Sequence, residues 1–139
     1  MSRIIHTSGP GKRRNQHRRT IAEMLRRLML KSDLDSEAKD MAATVLLALR
    51  AIADTIDEST EAWERRHYFL KADRFRRRWE WVSLAADRLR DLVTHDRWER
   101  LPQELALLVP YFRDIRVVKF TRSSSTWAGK YRSLGQDQR

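Results

Sequence analysis

Residues 68–93 read YFLKADRFRRRWEWVSLAADRLRDLV. The apolar side chains in this stretch follow one another at alternating steps of four and three, the repeat of a helix that packs lengthwise against other helices. The positions concerned are Tyr68, Ala72, Phe75, Trp79, Val82, Ala86, Leu89 and Val93. No Gly or Pro interrupts them, so we predict one long helix over residues 60–95, either as an elongated rod or kinked around residues 71–73.

The neighbouring segments carry the same periodicity. We predict a first helix over residues 15–31, a second that ends near residue 56, and a turn at residues 57–60. A fourth helix is expected to begin at Pro102 and to end or kink at Pro110. The fold class is therefore all-α: an antiparallel helical hairpin or bundle of about four helices built on the long helix. The apolar faces of the first two helices consist of Ile21, Met24, Leu25 and Leu28, and of Ala38, Met41, Val45, Leu49, Ile52 and Ile56.

The two ends of the chain differ from this body. Residues 1–14 combine turn formers with like charges, which predicts a basic N-terminal arm. Residues 15–115 form the helical domain, and residues 116–139 a basic, extended C-terminal tail. Residues 115–121 are strand-like in composition but have no second strand to pair with. We therefore expect an extended segment that lies on the core or on a partner.

Positive charge is concentrated at these ends. The chain has 139 residues and a formal net charge of +10. Residues 1–20 hold six Lys or Arg and no acid, residues 21–112 hold sixteen against seventeen acids, and residues 113–139 hold seven against two. A neutral body with two basic ends is typical of proteins that bind a polyanion.

The N-terminal cations are candidates for contacts with a phosphate backbone, each of which would release counterions. The alternative for this stretch is a solvated or localisation tail. The candidate residues are Lys12, Arg13, Arg14, Arg18 and Arg19.

In the C-terminal tail, cations alternate with aromatic rings. This pattern suits single-stranded or irregular RNA, because bases stack on the rings while the cations hold phosphates. Alternatively, Trp127 folds back and fills a gap in the helical core. The candidate residues are Lys119, Arg122, Trp127, Lys130, Tyr131 and Arg132.

The long helix carries a ridge of four arginines beside its aromatic residues. It is either a third anion site or a solvated face with internal ion pairs. The four are Arg74, Arg76, Arg77 and Arg78. Trp81 lies off the main apolar face, as a second packing face or as an exposed anchor for a partner.

Other kinds of site find little support. Glu64 and His67 have the spacing of a helical carboxylate-histidine metal motif, but the sequence has no second copy of it. Gly9-Pro10-Gly11-Lys12 lacks the spacing of a phosphate-binding loop. We therefore expect no enzyme, no metal and no cofactor. The chain has no apolar run long enough to cross a bilayer and no apolar core of signal-peptide length near its N-terminus, so we expect a cytoplasmic protein without membrane contact.

A small helical body with basic arms resembles helical ribosomal proteins in layout. The expected function is that of a non-catalytic, structural RNA-binding protein of a ribonucleoprotein assembly, without base specificity. One alternative is a nucleoid-type DNA-binding protein. Another is a helical scaffold subunit that binds protein partners or forms a homodimer.

Overall fold

The computed structural model describes residues 9–137, and within that range the chain is helical with no strand. Short 3-10 turns at Trp98–Arg100, Val109–Phe112 and Ser124–Thr126 lie between the later helices. The all-α prediction is confirmed, with five helices in this range where about four were expected. The helices are α1 (Pro10–Met29), α2 (Ser36–Arg65), α3 (Phe69–Thr94), α4 (Leu101–Leu108) and α5 (Lys130–Asp137).

The core forms between α1, α2 and α3, with α2 in the middle. Both pairs are antiparallel: Arg14 near the start of α1 contacts Ser59 near the end of α2, and Glu64 near the end of α2 pairs with Arg76 of α3. The predicted apolar faces of α1 and α2 are buried at every position. The prediction for Tyr68 is wrong, because this residue precedes α3 and is 53% exposed. Phe75 and Trp79 are half-buried. The other residues of the predicted apolar face of α3 are buried, namely Ala72, Val82, Ala86, Leu89 and Val93.

The turn predicted at residues 57–60 is wrong, because α2 continues through them to Arg65. Thr60 is buried, and its hydroxyl donates to the carbonyl oxygens of Ile56 (2.9 Å) and Asp57 (3.2 Å) instead of capping a new helix. A hydroxyl that bonds back to the preceding turn lets Thr remain inside a helix. The long helix therefore begins at Phe69 rather than near residue 60, and it passes through residues 71–73 without a break.

The chain reverses between α2 and α3 within three residues, at Arg66, His67 and Tyr68. The N–H of Tyr68 donates to Trp63 O (2.8 Å) and that of His67 to Glu64 O (2.9 Å), the paired bonds of a Schellman helix end. His67 consequently has a φ of 63°, in the left-handed region that favours glycine. The tight reversal sets α3 antiparallel to α2.

Helix α1 begins at Pro10, so residues 10–14 are helical and not part of a flexible arm. The fixed φ of Pro suits the first position of a helix, where its missing N–H has no partner to lose. Residues 1–8 of the predicted arm lie outside the described residues.

Residues 113–123, here called the strap, contain no helix or strand and lie against the outer side of α1, with a turn at residues 113–114 and bends at 115 and 118–119. Asp114 at its start contacts Arg18, and Arg122 near its end contacts Thr20 and Gln16. The segment predicted to lie on the core does so, with α1 as its support, but its path is irregular and not extended throughout.

The prediction that the tail is extended to its end is wrong. Residues 124–126 form a 3-10 turn, and α5 packs on α2. Trp127 is 5% exposed and Leu134 3% exposed, so both belong to the core. The backbone N–H groups of Gly129 and Tyr131 donate to the carboxylate of Asp40 in α2. Within residues 9–137, no helix has the length and apolar character needed to cross a lipid bilayer.

Candidate nucleic-acid interface

The two basic ends of the chain lie against each other. Arg18 of α1 donates to both carboxylate oxygens of Asp114, at 2.7 and 2.9 Å, and to the carbonyl oxygen of Tyr111. Arg19 donates to the carbonyl oxygens of Arg116 and Lys119. Arginine therefore fixes a cationic strap to a cationic helix mainly through oxygen acceptors of the backbone and through one acid.

A buried carboxylate completes this attachment. Glu23 is 0% exposed and accepts hydrogen bonds from the backbone N–H groups of Thr121 (2.7 Å) and Arg122 (2.9 Å), from the Thr121 hydroxyl, and from Arg19. Burial by itself would raise the pKa of Glu23, but the hydrogen bonds from Thr121, Arg19 and Arg122 favour the charged form. Together they lower its pKa to about 2.

Cation–π contacts of Arg27 hold the far end of the strap. The guanidinium carbon of Arg27 lies 4.0 Å from the ring centroid of Phe120 and 4.8 Å from that of Trp127. Arg122 donates to Thr20 Oγ1 (3.0 Å) and to Gln16 O (2.9 Å). The apolar and polar contacts thus alternate along one line on α1.

This arrangement creates one composite surface, here called the basic face, made of the outer side of α1 and the strap. Its two segments together contain eleven Lys or Arg and two acids, Glu23 and Asp114, a net charge of +9 out of the chain's +10. Five cations of this face are exposed and form no ion pair within residues 9–137. They are Lys12, Arg26, Arg113, Arg116 and Lys119.

The positive field also acts on a histidine. Burial lowers the pKa of His17, and the charges of Arg13 and Arg122 lower it further. The imidazole is therefore biased towards its neutral form, as expected for a partly buried imidazole beside two arginines.

Several side chains of the N-terminal segment that were predicted to contact phosphates face the protein instead. Arg14 donates to Thr55 Oγ1 (3.1 Å) and Ser59 Oγ (2.9 Å), and its guanidinium lies over the rings of Phe75 and Trp79. Burial lowers its pKa. Arg13 pairs with Glu58. Of the five candidates, Lys12 alone has an exposed side chain, because the others meet acceptors on α2 or on the strap.

The C-terminal candidates are likewise divided. Trp127 is buried, and the hydroxyl of Tyr131 donates to Asp96 at 2.6 Å while its ring meets Trp98 edge-on. The prediction that these two rings stack on bases is therefore corrected. Arg122 is bound to α1, Lys130 is half-buried, and Lys119 and Arg132 are exposed.

The arginine ridge of α3 separates into two pairs. Arg76 pairs with Glu64 (2.6 Å), and Arg77 pairs with Asp73 (3.1 Å). Arg74 and Arg78 are exposed, and neither forms an ion pair within the described part of the chain. Trp81 stacks on Tyr111 at 3.9 Å between centroids, which makes it a second packing face.

Sequence reasoning missed three cations of the basic face: Arg26, Arg113 and Arg116. Arg26 lies seven residues after Arg19, so the helical repeat places it on the same side of α1. The position of Arg26 on this side of α1 was therefore predictable from the sequence. The position of Arg113 and Arg116 depends on the path of the strap, for which the sequence held no comparable signal.

The Glu64 and His67 side chains have other partners than a metal. Glu64 is occupied by Arg76, and His67 stacks on Phe69. Across residues 9–137, no three His, Asp or Glu side chains come together as a metal site would require.

Comparison with known proteins adds no assignment to this geometry. No protein family, curated protein or solved structure matches the chain.

Proposed function

We propose that this protein is a non-catalytic nucleic-acid-binding protein that contacts phosphate groups through the basic face. The observation that supports the proposal is the packing of α1 against the strap, which brings together two segments with a joint net charge of +9 and leaves five of their cations exposed without an ion pair in the described part of the chain. Like charges brought together in this way repel one another, and a polyanion relieves that repulsion. The five exposed cations Lys12, Arg26, Arg113, Arg116 and Lys119 are the expected phosphate contacts.

The contacts differ from those expected of two free arms. Because Arg14, Arg18, Arg19 and Arg122 are bound within the protein, their contribution is to position the strap and to supply positive potential. The exposed cations are then held on a rigid support, which reduces the entropy lost when a phosphate binds. Binding to the backbone without reading bases follows from this set of residues.

Structured RNA of a ribonucleoprotein assembly is the partner we favour. Phe120 is 36% exposed beside Lys119, and Trp63 is half-buried beside Lys71, so aromatic surface suited to unpaired bases remains next to cations. A nucleoid-type DNA-binding protein would use the same charges on duplex DNA. Competition between structured RNA and duplex DNA of equal length separates the two.

A scaffold function has one observation in its favour. An apolar groove of about 600 Å³ lies between the end of α1 and α4, lined among others by Leu28, Leu34, Trp98 and Leu105. Met29 and Leu30 beside it are 64% and 70% exposed. A groove of this kind suits a protein partner or a second copy. Light scattering at moderate salt would report self-association.

The test of the proposal removes two strap charges. The variant R116Q/K119Q is compared with R90Q/R97Q, which removes two exposed cations from the last turns of α3 and the loop that follows it. We expect R116Q/K119Q to weaken RNA binding roughly tenfold and R90Q/R97Q to weaken it less than twofold. Equal losses in both would contradict the assignment of the basic face.

A further inference from the structure

A second groove lies where α2 ends and α3 begins. It has a volume of about 400 Å³, and its floor is apolar while its rim is basic. The lining residues are Trp63, Leu70, Lys71, Arg74, Phe75 and Arg78. A volume of this order is typical of sites for small ligands.

The rim consists of one row of cations. Lys71, Arg74 and Arg78 follow at steps of three and four, so they share one side of α3 and repel one another. None of the three forms an ion pair within residues 9–137, whereas the neighbouring Arg76 and Arg77 both do. The row is therefore suited to an external anion.

The floor presents an aromatic surface. Trp63 meets Phe75 edge-on, with centroids 5.0 Å apart and planes at 83°, which fixes the indole. The ammonium nitrogen of Lys71 lies 4.4 Å from the centroid of the indole ring. An exposed cation–π contact contributes less than a base stacked on an indole, and the Lys side chain is flexible, so a base would displace it.

The groove is continuous with the region of the basic face. Trp63 and Phe75 also line an adjoining groove of about 480 Å³ together with Pro10, Gly11 and Arg14 of α1. Lys12, one of the five exposed cations of the basic face, follows directly. Trp63 therefore lies beside the first turn of α1, with Glu58 the one acid among the described residues that line the adjoining groove.

We infer that this groove holds an unpaired nucleotide of a nucleic-acid strand, with its base on the indole of Trp63 and its phosphates on Arg74 and Arg78. The inference rests on the proposed function, because the strand is the one bound by the basic face. It adds a preference for strands with unpaired bases to a surface that otherwise reads only charge.

The test compares two matched charge removals on the same helix. R74Q/R78Q removes the row, and R76Q/R77Q removes two arginines that already have acidic partners. Binding of fluorescent oligouridine RNA and of a blunt RNA duplex is measured by anisotropy for each. We expect R74Q/R78Q to weaken oligouridine binding by roughly fivefold more than R76Q/R77Q, with duplex binding alike in the two variants.

A second pair of variants tests the ring. W63L should weaken oligouridine binding by roughly tenfold, and W63F should restore most of it, because a phenyl ring still stacks. Thermal melting shows whether W63L is folded. If W63L is unfolded, the binding data of W63F and of the arginine variants test the inference instead. Equal effects of the two arginine variants on oligouridine would overturn the inference, as would displacement of the strand by uridine monophosphate at equal nucleotide concentration.

Failure of the proposed function has a different signature. In that case the wild-type protein binds neither oligouridine nor duplex at low salt. If the wild type binds both RNAs and the variants leave their ratio unchanged, the basic face is supported and the nucleotide groove is not.

Discussion

Thr121 donates two hydrogen bonds to the buried carboxylate of Glu23, one from its backbone N–H at 2.7 Å and one from its hydroxyl. The two residues are separated by 98 positions in the sequence. This contact fixes the strap on α1 and so brings the two basic ends of the chain onto one surface. The buried acid is thus, together with Arg18 and Asp114, one of the contacts that hold the basic face together.

Replacing Glu23 by Gln should destabilise the protein by about 2–4 kcal/mol, because the charge is lost and the Gln amide offers one acceptor oxygen to donors that share two in the wild type. Urea unfolding monitored by circular dichroism measures the change. Glu37→Gln is the control, since Glu37 is exposed and pairs only with Lys31 among the described residues. If E23Q loses as little stability as E37Q, the contact of Glu23 with the strap does not stabilise the fold.

Glu23 should also determine part of the acid sensitivity. Its pKa is lowered from 4.5 to about 2 in the folded protein, so its stabilisation is present above about pH 4.5 and is lost as the pH falls towards 2. The shift corresponds to about 3 kcal/mol. Unfolding free energies from pH 7 to pH 2 should therefore fall more steeply for wild type than for E23Q. Parallel curves would argue against this assignment.

Trp127→Ala should destabilise the protein by about 3 kcal/mol, because it leaves a cavity and removes the ring against which Arg27 packs. RNA binding measured well below the melting temperature should change little, since the indole is not available for a base. Val118→Ala is the control, because Val118 is 81% exposed. Lost affinity in a fully folded W127A would support the stacking role predicted from sequence.

His67→Gly should raise the free energy of unfolding by about 1 kcal/mol. The left-handed backbone at this position strains any residue with a Cβ, and glycine removes that strain. Thermal melting measures the gain, with Arg66→Gly as the control because Arg66 has a negative φ. A lower melting temperature for H67G would mean that the stacking of His67 on Phe69 outweighs the backbone strain.

The sequence predicted what depends on local periodicity. The predicted apolar faces of α1 and α2 are confirmed at each position, because apolar residues spaced three and four apart lie on one side of a helix. The turn near Thr60 was wrong, because Thr favours both helix caps and hydroxyl bonds to the preceding turn, and local sequence does not distinguish the two.

Only the excess of positive charge on the basic face was predictable from the sequence. The excess of cations at both ends is visible in the sequence, but their meeting depends on Arg18 and Asp114, which are 96 positions apart. Arg19 binds the carbonyl oxygens of Arg116 and Lys119. Because every residue has a backbone carbonyl, the sequence does not reveal which of them will accept a hydrogen bond. Sequence therefore could not separate the inward-facing arginines from the exposed ones.

The most direct test of the central claim is the salt dependence of RNA binding. If the five exposed cations of the basic face each meet a phosphate, they alone contribute about −3.5 to the slope of log K against log salt on single strands, and the slope is reduced in magnitude by about 1.4 in R116Q/K119Q and unchanged in R90Q/R97Q. A flat response in the wild type, or the same slope in the wild type and R116Q/K119Q, would contradict phosphate binding by the basic face.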